Sequence, residues 1–126
     1  MDGTTIKSYF FDSCALIDFV FGEKRISPYA DSRLLTTPLN LLEFHYVCTK
    51  MKGERFTDTL FEEFLADTIL IDPLLLPDAS KFRLRNIKKQ FSYIDCVGYI
   101  VAKHHGIPFL TSDSAFKGME NVEFVG

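Results

Sequence analysis

Four carboxylates in this chain sit where a side chain of that kind has chemistry to do. Asp95 opens an otherwise apolar run, residues 96–102, and an unpaired ionised carboxylate is costly to bury. Asp113 closes a short apolar stretch as part of Thr111-Ser112-Asp113, and Asp12 follows the apolar Tyr9-Phe10-Phe11. Glu43 is the fourth; its helical neighbours at i−4 and i+4, Leu39 and Val47, do not mark a plainly solvated face. Were these acids to converge, each like-charged pair ~4 Å apart would cost about 4 kcal/mol at an effective dielectric of ~20. Such a pocket persists only with cations or protons in it. Ligation by oxygen alone selects hard cations, Mg²⁺ or Mn²⁺, which keep several waters and are shared with phosphates. The chemistry that follows is metal-assisted hydrolysis of a phosphodiester.

Each acid also has an ordinary structural use. Asp12 and Asp113 can N-cap the helical segments that follow them. Ser92 and Asp95 stand in the S-x-x-D relation of a capping box. Glu43 can be a solvated helical charge.

The elements that must position these groups alternate between strand and helix. Residues 9–11 read as a buried strand and 13–21 as a helix ending at Gly22. A second strand is expected at 34–36, and Thr37-Pro38 supplies an N-cap and first-turn proline for a helix running to about Lys52. Residues 54–66 form another helix by spacing, 68–71 a strand candidate, and 78–91 a basic helix. The apolar helix from Ser92, a strand at 107–110, a helical turn at 114–119 and a last strand at 122–125 complete the order. This pattern favours an α/β/α sandwich around a mostly parallel central sheet. In such sheets ligands bind at the carboxyl ends of the strands, where Asp12 and Asp113 both fall.

The bulk properties fit one globular domain spanning 1–126. The chain has 126 residues, 47% hydrophobic and 25% charged, enough to bury roughly two-thirds of its unfolded surface. No uncharged run exceeds nine residues, so no transmembrane helix is expected, and Asp2, Lys7, Asp12 and Asp18 break any signal-peptide core. The cysteines, Cys14, Cys48 and Cys96, are odd in number and widely spaced, as in a reduced cytoplasmic protein. Net charge is −3 but polarised: residues 54–78 hold seven acids and one base, and residues 81–89 hold five bases and no acid. Lys81, Arg85 and Lys88 recur at helical spacing and are candidates for phosphate contact; a solvated face is the plainer use. His104 and His105 are adjacent and point apart, which suits the end of a helix better than a ligand pair. His45 projects away from Glu43, and Phe116 is a candidate neighbour of the acids.

Asp12-Ser13 after a hydrophobic strand, Glu43 in the second main helix, Asp95 opening an apolar helix, and Thr111-x-Asp113-x-x-Phe116 together resemble the PIN domain. The resemblance runs through the whole chain in order and length, strongest over 92–116 and weakest over 21–36. It implies an Mg²⁺- or Mn²⁺-dependent ribonuclease with Asp12, Glu43, Asp95 and Asp113 as catalytic metal ligands and Ser13 or Thr111 orienting a ligand or water. Small single-domain members are often VapC-type toxins, which implies a homodimer silenced by a small antitoxin protein. The departure is Ser13-Cys14, where the family commonly has Thr and a small polar residue; it puts a thiol beside the hard-cation site. A receiver-type phosphoacceptor domain is the alternative by length and acid pocket, but it calls for paired acids after the first strand, and Asp12 stands alone. A catalytically silent scaffold is the other alternative; it predicts a missing acid, and none is missing.

Overall fold

In a computed structural model, residues 5–126 are described. The strands are β1 (Ser8–Phe11), β2 (Arg33–Leu35), β3 (Phe109–Thr111) and β4 (Val122–Phe124). They form one sheet in the order β2-β1-β3-β4, and every pairing is parallel. Ser8 pairs with Arg33, Phe10 with Phe109, and Phe109 with Val122. The helices are α1 (Ser13–Val20), α2 (Pro38–Lys52), α3 (Glu54–Phe64), α4 (Leu76–Arg85) and α5 (Tyr93–His104).

Side chains alternate across the sheet, so Phe10 and Phe11 face opposite layers. Phe10 and Phe109 join Phe91, Val97, Tyr99, Val101 and Phe116 in one core, against α5 and α4. Phe11 and Leu110 join Leu16, Leu41, Phe44, Cys48 and Phe64 in the other, against α1, α2 and α3. The expected α/β/α sandwich is therefore present, with a sheet that is parallel throughout.

Local signals account for the main boundaries. Thr37 accepts from the Asn40 backbone N–H, Pro38 takes the first helical position, and Gly53 ends α2 at φ 88°. The capping box at Ser92 and Asp95 starts α5.

Two expected elements come out differently. Residues 68–71 make no strand: Thr68 forms an isolated bridge with Thr36, and a 3₁₀ turn before it and Asp72-Pro73 after it leave no length for a ladder. The basic helix stops at Arg85. Asn86 caps it, a 3₁₀ turn covers Ile87–Lys89, and Gln90 takes a left-handed conformation at φ 59°.

Candidate functional site

The strand order reverses direction between β1 and β3: the chain leaves β1 for β2 on one side and later returns to β3 on the other. In parallel sheets such a reversal marks the place where ligands bind, at the carboxyl ends of the strands, here β1 and β3. The helices return antiparallel to the strands, so their N-termini lie along the same edge. Asp12 is the N-cap of α1, Asp95 lies in the first turn of α5, and Asp113 is the N-cap of the 3₁₀ turn Ser114–Phe116. Glu43 lies in the second turn of α2.

Asp12 is 2% exposed, and four donors hold it. Its Oδ1 accepts from the Ser13 backbone N–H at 2.8 Å and from Asn40 Nδ2 at 3.4 Å. Its Oδ2 accepts from the Thr111 hydroxyl at 2.9 Å and from the Cys14 thiol at 3.4 Å. Burial pushes the Asp12 carboxyl up to about 7, and the Asp95 charge adds to the shift against the opposing hydrogen bonds. Asp95 is half-buried, and its Oδ2 accepts from the Ser92 backbone N–H at 2.9 Å. Burial raises it first, and the charges of Glu43 and Asp113 raise it further, against the Ser92 hydrogen bonds. The four acids thus lie within electrostatic range of one another through Asp95.

Thr111 joins two of them. Its hydroxyl donates to Asp12 and accepts from the Asp113 backbone N–H at 3.1 Å, and Asp113 Oδ1 then accepts from the Ala115 N–H at 3.0 Å. The Ser13 hydroxyl turns the other way, accepting from Asn40 Nδ2 at 3.1 Å. Cys14 lies against Asp12 and Thr111, where burial and the Asp12 charge push its thiol up to about 11. It is protonated at neutral pH and donates to the carboxylate; a metal-ligating thiolate is disfavoured there.

The donor set suits a hard cation. Among the described residues the ion pairs are Arg25–Asp18, His45–Asp58 and Lys103–Glu120, so no basic side chain neutralises Asp12, Glu43, Asp95 or Asp113. Also among the described residues, no three His, Cys, Asp or Glu side chains close tightly enough to hold an ion unaided.

The other candidates lie outside this cluster. Lys81 and Arg85 line a groove of about 590 Å³ with Phe82, Tyr99, Lys103 and His104, and Lys88 is exposed in the turn after α4. Lys103 is eight residues beyond Asp95 on α5, about 12 Å along the axis. Lys89, not Lys88, reaches the acid edge, donating to the Ala115 carbonyl at 2.8 Å. His45 clasps Asp58 across α2 and α3 at 2.7 Å, and His104 and His105 finish α5. Phe116 is fully buried, stacked on Phe91, and so unavailable to a nucleotide base. Asn40 is a participant that sequence reasoning missed. The available signal was an amide at the third position of a helix whose N-cap is Thr37.

The PIN domain model matches residues 9–122. The chain belongs to the PIN domain family. Among solved structures, this PIN domain is similar to the Mycobacterium tuberculosis VapC20, a Sarcin-Ricin loop cleaving toxin, at TM-score 0.72 and 16% identity, over 91% of this chain and 98% of that one. A toxin–antitoxin complex from Klebsiella pneumoniae gives 0.71 and 18%, over 91% and 95%. The DNA-bound VapBC of Salmonella typhimurium gives 0.70 and 15%, over 95% and 97%. At these identities the likeness is one of fold. No curated protein matches the sequence.

Proposed function

We propose that this PIN domain is a divalent-metal ribonuclease, with Asp12, Glu43, Asp95 and Asp113 as its catalytic acids. The observation that carries the reading is electrostatic. Asp12, Asp95 and Asp113 start helical segments at the switch point of a parallel sheet, and Glu43 lies within electrostatic range of Asp95. Burial and like charge raise Asp12 and Asp95, and among the described residues no basic side chain pairs with any of the four. Asp12, Asp95 and Asp113 would hold Mg²⁺ or Mn²⁺, with waters completing a shell that the protein leaves open. When bound, the cation supplies Lewis-acid chemistry for phosphodiester hydrolysis. Glu43, half-buried on α2, holds a second ion or orients the attacking water. Thr111 fixes Asp12 relative to Asp113, and Ser13 supports Asp12 through its backbone N–H.

The substrate class is single-stranded or looped RNA. Lys81, Arg85 and Lys88 would hold phosphates well away from the cut, since the first two line a groove about 12 Å along α5. The toxin structures of the same fold support a VapC-type role with an antitoxin partner; a homodimer belongs to the same reading on the family resemblance alone. Exposed apolar side chains, Leu42 and Tyr46 on α2 and Leu84 and Ile87 around the end of α4 among them, are where either contact would be sought. No helix among the described residues is long and apolar enough to cross a membrane, and three free cysteines suit a cytoplasmic location. The family match gives the receiver-type alternative no support.

Cleavage of a hairpin RNA, abolished by EDTA, restored by Mn²⁺ and absent from a folded Asp12→Asn variant, is the expected result. Full cleavage by that variant would sink the assignment. A wild type that binds Mn²⁺ but never cuts would favour a silent scaffold.

A further inference from the structure

The mechanism above leaves unused one fully buried side chain that bonds directly to Asp12. Asn40 is 0% exposed, and its amide is engaged at both ends. The Thr37 hydroxyl donates to Asn40 Oδ1 at 2.6 Å. Asn40 Nδ2 donates to Ser13 Oγ at 3.1 Å and to Asp12 Oδ1 at 3.4 Å. From the opposite side, α5 presses Gly98 onto the same amide. A Cβ there would stand 3.1 Å from Asn40 Oδ1 and 3.2 Å from Phe10 Cε1.

Three helices therefore meet at this amide, and each carries an acid close by. Asp12 is bonded to it directly. Glu43 is three residues further along α2, and Asp95 is three residues before Gly98 on α5; residues at that spacing share a helix face. We infer that Asn40 is the positioning residue that fixes the separations of Asp12, Glu43 and Asp95, with Gly98 as its seat. The inference rests on the acid-site reading above. The residue type is informative. Leucine would fill the space without the cost of burying an amide. Lysine would neutralise Asp12 and compete with a cation, and aspartate would add another negative charge. A neutral donor such as this amide bonds the carboxylate while leaving its charge for a metal, and its second polar atom accepts from Thr37.

The test is Mn²⁺ affinity, read by EPR or calorimetry without RNA, together with kcat and KM on a hairpin RNA. Asn40→Ala and Gly98→Ala perturb the amide from opposite sides. Both are expected to weaken Mn²⁺ binding ten- to a hundredfold, as for removal of a group that orients a metal ligand, and to lower kcat while leaving KM for RNA unchanged. Val101→Ala, also on α5 and buried away from the acids, is expected to lower the melting temperature without changing either reading. Asn40→Ala and Gly98→Ala proteins that bind Mn²⁺ within twofold of wild type, differing only in stability as Val101→Ala does, would overturn the inference. If Asn40→Ala does not fold, Gly98→Ala carries the same comparison. A wild type that binds no Mn²⁺ would instead remove the acid site itself, and the inference with it.

Discussion

Removing the charge of Asp12 should stabilise the metal-free protein at neutral and alkaline pH. The folded carboxyl titrates near 7 because burial and Asp95 oppose its charge, whereas an unfolded aspartate titrates at about 3.9. Below pH ~4 both states hold the proton and the site costs nothing. Between pH ~4 and ~7 the unfolded chain releases its proton while the folded chain keeps it, so stability falls as pH rises. Above pH ~7 the whole difference is present, about 4 kcal/mol at 1.36 kcal/mol per unit. Asp95 is raised too and pulls in the same direction.

Asp12→Asn deletes that cost and keeps an oxygen for the Ser13 N–H. The Thr111 hydroxyl loses its carboxylate acceptor, for about 1 kcal/mol. The variant should therefore exceed wild type by about 3 kcal/mol at pH 8, on the order of 10 °C in melting temperature, and the gap should close by pH ~4.5. Thermal unfolding of both proteins in EDTA from pH 4.5 to 8 measures this. The readout is the difference between the two curves, because carboxylates such as Asp18, paired with Arg25, titrate alike in both. Saturating Mn²⁺ should return at least about 2.7 kcal/mol to wild type at a hundred times its Kd, and nothing to the variant. A gap that is absent at pH 8, or one favouring wild type, would refute the electrostatic account of this pocket.

Other outcomes follow from the same geometry. Asp95→Asn and Asp95→Ala should both abolish cleavage, but only the alanine loses the capping box, about 1 kcal/mol by urea unfolding. Cys14→Ser keeps a donor beside Asp12 and should retain cleavage within a few-fold, while the native Cys14 thiol should resist alkylation at pH 7.5 until the protein unfolds. The double variant Lys81→Ala/Arg85→Ala should flatten the salt dependence of RNA binding by roughly 1 to 2 units of log–log slope and leave the cutting rate of a very short RNA unchanged. Asp58→Ala breaks an exposed pair with His45 and should cost no more than about 1 kcal/mol, with no effect on cleavage.

The layered fold was legible because its signals are local. Thr37-Pro38 and Ser92-x-x-Asp95 mark helix starts by hydrogen bonds within one turn, and Tyr9-Phe10-Phe11 is too short and aromatic for anything but a buried strand. What stayed hidden depends on neighbours distant in sequence. Residues 68–71 have strand-like composition, yet among the described residues only Thr36 offers them a β partner, so a bridge forms without a ladder. Lys81, Arg85 and Lys88 share a helical spacing, but Asn86 ends α4 before Lys88, so the stripe is broken and Lys89 makes the contact at the acid edge. Asn40 carries no local signal beyond its place in the first turn of α2. Its partners, Ser13, Asp12 and Gly98, are 27 to 58 positions away, a relation that no local pattern carries.

Capping and metal ligation looked like rival uses for the acids, and the geometry dissolves the rivalry. Asp12 Oδ1, Asp95 Oδ2 and Asp113 Oδ1 each accept a backbone N–H at a helix start. Each carboxylate has two oxygens, and the cap engages one; in Asp12 the second also accepts from Thr111 and Cys14, which hold it further. A group fixed at one oxygen by a rigid backbone donor has its other oxygen aimed, at little further entropic cost on binding. Helix N-termini also favour negative charge, which offsets part of the repulsion that burial would otherwise make prohibitive. The caps are thus the means by which short, desolvated carboxylates can be held near one another in the absence of a cation. Glu43, lying in the second turn of α2 with no backbone donor to cap, has no such anchor, which is the reason the proposal gives it water or a second ion and not the first.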